Sequence, residues 1–136
     1  MKTERFAELV EQAVASIPDY FRKRIENVQI DIMPQASPDL ARSLGRHPMQ
    51  LLGVYQGIPY RRRGPWYGNV VPDRILIFQV PIERQCQTEA DVRSLVRKVV
   101  IHEVGHYFGL SDEELFRLQA EAERAPQTHE ADKAGM

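Results

Sequence analysis

The chain has very little cysteine. Cys86 is the single one in 136 residues, so no internal disulfide can form and a cysteine-rich metal cluster is excluded. It also lacks long apolar runs, since no window approaches the roughly 18 residues a membrane span requires. The first residues, Met-Lys-Thr-Glu-Arg-Phe-Ala-Glu-Leu, carry charges where a secretory signal needs an apolar core. An excess of charge is missing as well: 18 Lys+Arg against 19 Asp+Glu give a net charge of -1. A protein that grips a nucleic-acid backbone is normally basic, so no nucleic acid and no membrane are expected as partners. These absences point to a soluble, cytoplasmic protein. A content of 43% hydrophobic and 27% charged residues is that of a globular domain, and the length suits one domain.

Periodicity then outlines the elements. Phe6, Leu9, Val10, Ala13, Val14 and Ile17 recur at helical spacing and stop at Pro18. Residues 28–33 alternate and end at Pro34, as a half-buried strand does, and residues 51–55 are a second strand candidate. Residues 35–49, with Pro38, Gly45 and Pro48, read as a loop with a helical turn. Residues 56–72 form a long connection containing Arg61-Arg62-Arg63, Tyr60, Trp66 and Tyr67. The arginines read most simply as a solvated face, and the aromatics as packing or as pocket walls. Residues 74–80 form a third strand, fenced by Pro72 and Pro81, which places it at a sheet edge.

Residues 88–108 carry the strongest helical pattern. Thr88 and Asp91 suit its start, Gly109 its end, and Val92, Leu95, Val99, His102 and His106 share one stripe. Val96, Val100, Ile101 and Val104 add apolar surface, so the second half should be buried. A last helix spans residues 111–124. The domain is expected to occupy residues 1–124, with residues 125–136 as a flexible tail.

The chemistry concentrates in His102-Glu103-Val104-Gly105-His106. Two histidines four apart on a helix project from one face and can reach one cation. Glu103, offset by about 100° per residue, stands beside such an ion, where a carboxylate can take a proton from water as general base. The match continues through Gly109 to Asp112, and all of it together has a chance occurrence of the order of 10⁻⁵. Gly109 permits a turn that can swing Asp112 back as the third ligand of one zinc ion, leaving the fourth position to water. Alternatives stay open. Ser111 and Glu114 can form a capping box that leaves Asp112 merely favouring the helix dipole, and Glu114 or Glu121 can compete as ligand. Two histidines and a carboxylate can also suit iron. Tyr107 adjoins a ligand in sequence without an assigned role, and Cys86 lacks the surroundings of a nucleophile.

His102-Glu103-x-x-His106-x-x-Gly109-x-x-Asp112 resembles the extended motif of the zincins, with aspartate in the third position. More closely, Leu51-Leu52-Gly53-Val54-Tyr55-Gln56-Gly57-Ile58-Pro59, Pro72-Asp73-Arg74-Ile75 with Phe78, and Pro81-Ile82 are similar to small bacterial zincin-like metallopeptidases. The likeness covers about residues 50–115. It implies an α+β domain in which a small mixed sheet, with an antiparallel edge strand, packs on the active-site helix. It further implies a zinc-dependent peptidase with His102, His106 and Asp112 as metal ligands and Glu103 as catalytic base. In such enzymes the edge strand pairs with an extended peptide, and residues 74–80 would fill that place here. The chain departs from the metzincins in lacking a Met-turn: the only methionine after Asp112 is Met136. A second reading, of another class, is a non-catalytic metal-stabilised domain that binds a peptide or protein along its edge.

Overall fold

The computed structural model describes residues 1–25, 27–57 and 73–124. The arginine run, Tyr60, Trp66, Tyr67 and the tail at 125–136 therefore lie outside the described residues.

The first helix, α1 (Thr3–Ala15), buries Phe6, Leu9, Val10 and Ala13 along its apolar stripe. A short helix, α2 (Asp19–Arg22), and a 3₁₀ turn (Lys23–Ile25) lead to strand β1 (Gln29–Met33). Helix α3 (Pro38–Ser43) starts on Ser37, whose hydroxyl accepts from the Leu40 N–H. Strands β2 (Gly53–Gln56) and β3 (Arg74–Phe78) follow, then α4 (Gln79–Arg84), α5 (Glu89–Phe108) and α6 (Asp112–Arg124).

The sheet has the order β1-β3-β2, with β1 parallel and β2 antiparallel to β3. This is an α+β arrangement with a small mixed sheet and an antiparallel edge strand, as expected. The expectation for residues 74–80 is corrected in two respects. The strand ends at Phe78, since Gln79 and Val80 open α4, and β3 is the centre of the sheet rather than an edge. Ile75, Leu76, Ile77 and Phe78 are all buried. Ile75 and Ile77 join the main core with α1 and α5, whereas Leu76 and Phe78 join Ala36, Ala41 and Leu51 on the opposite face. Such a continuous apolar run belongs to a strand covered on both sides. Pro81 had suggested an edge, but it lies in the first turn of α4, where a missing N–H breaks no helical bond. The antiparallel edge is β2.

Helix α5 packs against α1, the sheet and α6. Gly53 lets β2 approach it closely: a Cβ there would lie 2.7 Å from Val99 Cγ1, 3.1 Å from the Leu76 carbonyl oxygen and 3.4 Å from Glu103 Cγ. Val99 is stiff at χ1 and the carbonyl belongs to the ladder, so neither can yield easily. Gly53→Ala is therefore expected to destabilise the fold by about 1–3 kcal/mol, measured by urea denaturation.

Across β1 and β3, Arg74 Nη2 donates to Asp31 Oδ2 at 2.8 Å and Arg74 Nε to the same oxygen at 3.2 Å. Mainly for this reason, and with help from Gln29, the Asp31 carboxyl titrates below its ordinary value of 3.8, although partial burial opposes the shift. A lowered carboxyl stabilises the fold above its unfolded value and loses that contribution as pH falls through the folded value. Both side chains are partly exposed, which limits the effect. Asp31→Asn should cost about 0.2–1 kcal/mol at neutral pH, and the difference from the parent should vanish in acid unfolding titrations below the carboxylate range.

Candidate metal centre

Thr88 starts α5 with a complete capping box: its hydroxyl accepts from the Asp91 N–H at 3.1 Å, and Asp91 accepts from the Thr88 N–H at 3.2 Å. The helix ends at Gly109, which is left-handed at φ 67° and ψ 35°. Between these fixed ends, the side chains of the second half divide sharply. Val100, Ile101, Val104, Tyr107 and Phe108 are buried, and so is Glu103, whereas His102 and His106 are exposed.

The two imidazoles stand with ring centroids 4.4 Å apart at 68°. One ligand atom from each of His102, Glu103 and His106 lies within 4.8 Å of the other two. The Glu103 carboxylate takes His106 Nδ1 at 3.2 Å. An ionised carboxylate only accepts, so in the neutral imidazole this contact favours the tautomer with the proton on Nδ1 and the lone pair on Nε2. That hydrogen bond is the main reason His106 titrates above its ordinary value of 6.5; the Glu103 and Asp112 charges add to it and burial opposes it. Two imidazoles and a carboxylate, with both rings open to solvent, are a donor set that fits a zinc-sized cation.

Asp112 is the first residue of α6, three residues beyond Gly109, and it acts on His106 through its charge while standing outside the close trio. The alternative role open to its neighbours is realised: the Ser111 N–H donates to Glu114 Oε1 at 3.0 Å and the Glu114 N–H to Ser111 Oγ at 3.1 Å. Glu121 is exposed further along the helix. Tyr107 faces the core, where its hydroxyl donates to the Arg24 carbonyl at 3.3 Å and its ring meets Tyr55 edge-on. Burial, followed by the Asp91 and Glu83 charges, pushes the Cys86 thiol up and away from a reactive thiolate.

A cleft of about 340 Å³, bordered by His102 and Glu103, opens between residues 50–53 and the Leu95–Lys98–Val99 side of α5. Sequence reasoning missed Arg46, Lys98 and Gln119 as lining residues. Lys98 was within reach, because it lies four residues before His102 and hence on the same helical face. Arg46 and Gln119 come from other segments, and no local pattern announces them.

A mixed sheet whose antiparallel edge lies against a helix bearing a His–Glu–His cluster follows the plan of a zincin metal site. The chain belongs to the zincin-like metallopeptidase family, which it matches over residues 25–122. No curated protein matches it. Among the described residues, no helix is long and apolar enough to cross a membrane.

A cation that takes both imidazoles competes with protons, above all at His106. Zinc affinity should therefore weaken as pH falls through the raised His106 value, with an onset above 6.5. Competition with a chromophoric chelator across a pH series measures this.

Proposed function

We propose that the protein is a zinc-dependent metallopeptidase, with one zinc ion per chain held by His102, His106 and Asp112 and with Glu103 as general base. The observation that carries this reading is the His102–Glu103–His106 cluster, two of whose members line a cleft, on the part of α5 whose other side chains are mostly buried. Zinc bound there would supply Lewis acidity toward a peptide carbonyl and toward water. Glu103 accepts the proton of the attacking water and delivers it to the departing amine nitrogen, so that one carboxylate serves as base and then as acid. Its burial suits that work, because a carboxylate 6% exposed at the cleft acts with little competing solvent. Asp112 would complete the ligand set from the start of α6, three residues past the left-handed Gly109 that ends α5. An extended peptide lies along the open edge of β2, which pairs with β3 alone among the described residues.

That same open edge favours a second reading, a metal-stabilised domain that binds peptides without cleaving them. Zinc-dependent cleavage of a broad peptide library supports the enzyme, and binding without turnover supports the module.

Elemental mass spectrometry of the purified protein should find about one zinc per chain, lost in His102→Ala. The absence of metal in both, even after zinc is supplied, would overturn the metal site. Glu103→Gln should retain the zinc and lose at least about 100-fold in hydrolysis rate. Activity preserved in that variant would remove Glu103 from the role of base.

A further inference from the structure

We propose that the cleft bordered by His102 and Glu103 selects anionic peptides: an apolar side chain seats against its lining, and a nearby carboxylate is read by Arg46 and Lys98. The inference rests on the peptidase reading only for where the cut would fall. Leu51, Leu52, Leu95 and Val99 give the cleft an apolar lining, and its volume of about 340 Å³ has room for a side chain. Its two walls each contribute a cation, Arg46 from the segment between α3 and β2 and Lys98 from α5. Both are exposed, and neither forms an ion pair among the described residues. Glu123 shares a smaller neighbouring hollow with Lys98 but does not neutralise it within 4 Å.

Arg5, Arg22, Arg42, Arg74 and Arg117 each meet a carboxylate, whereas Arg46 and Lys98 are among the described cations without one and are the two that line this cleft. Cations left unanswered on both walls of one apolar cleft are complementary to a ligand that brings its own negative charge. Among the described residues, the only acid lining the cleft is Glu103, which is buried and engaged with His106. A carboxylate placed between Arg46 and Lys98 meets two attractive charges, and a basic residue there meets two repulsive ones. The carboxylate can come from an Asp or Glu side chain or from the end of the peptide chain; both present the same group.

The test uses the full chain carrying Glu103→Gln, supplied with zinc, and calorimetric titration with short end-blocked peptides. Three of them place Glu, Gln or Lys next to a leucine, and two more end on leucine as the free acid or the amide. At low salt the Glu peptide should bind about three- to tenfold more tightly than the Gln peptide, and the Lys peptide most weakly. Arg46→Glu combined with Lys98→Glu should invert the order to favour Lys, an outcome that a merely damaged fold cannot produce. A preference for the free acid over the amide, without one for internal Glu, identifies the chain end as the source; the reverse identifies an acidic side chain. Equal affinities for Glu, Gln and Lys, a preference that survives the double reversal, or no measurable binding would each overturn the proposal. Hydrolysis of the same peptides by the parent protein separates the two readings. Cleavage without charge preference defeats the subsite and leaves the peptidase. Charge-selective binding without cleavage leaves the subsite and defeats the peptidase.

Discussion

Everything at the candidate centre depends on the enclosure of α5. Sheet, α1 and α6 pack against this helix, so its apolar residues are used up in packing while His102 and His106 stay exposed. Burying Val96, Val100, Ile101 and Val104 stabilises the helix by roughly 1.5–3 kcal/mol for each full side chain, which is how a helix bearing two exposed histidines and a buried glutamate stays ordered. Two close approaches complete the setting. Gly53 brings the edge strand against Val99 and Glu103, and Gly105 brings α6 so near that a Cβ would lie 2.5 Å from Leu115 Cδ1. Inside the motif, the residue at 105 thus serves packing, and through packing it sets where Asp112 begins the next helix.

Helix α5 was legible because several local signals agree. The Thr88–Asp91 pair, the helical stripe and Gly109 all mark the same segment, and the structure uses each of them. α1, β1 and α6 were legible for the same reason, with bounds that differ by one or two residues. The flanking prolines suggest an edge for β3, but the strand's own composition points to the centre of the sheet. Ile75, Leu76, Ile77 and Phe78 do not alternate with polar residues, and that absence of alternation is the better guide, since it means two covered faces. Which covering elements they meet is not local information. Leu76 and Phe78 rest against Ala36, Ala41 and Leu51, residues far away in the chain.

The candidate site divides in the same way. His102, Glu103 and His106 lie within five residues of one helix, so geometry follows from helical spacing alone. The cleft is tertiary: Leu51 and Leu52 reach it through the β2–β3 pairing, and Arg46 through the segment before β2. Moving the antiparallel edge from β3 to β2 also changes what faces the histidines. β2 runs beside Val99 and Glu103, so the edge that is unpaired among the described residues lies near the metal-binding face.

Glu103 shows how one side chain meets two requirements. A carboxylate sealed in an apolar core is costly unless something hydrogen-bonds to it. His106 supplies that partner at 3.2 Å, and the same contact stabilises the charged imidazolium, which is why His106 titrates above its ordinary value. The arrangement also fixes the tautomer, because a proton held on Nδ1 leaves Nε2 as the atom available to a cation. Were Glu103 replaced by an apolar residue, the core would lose a polar group, but His106 would lose its orientation and its tautomer would no longer be imposed. A buried acid at position 103 is therefore explained twice over, by the chemistry proposed for it and by its hold on the neighbouring histidine.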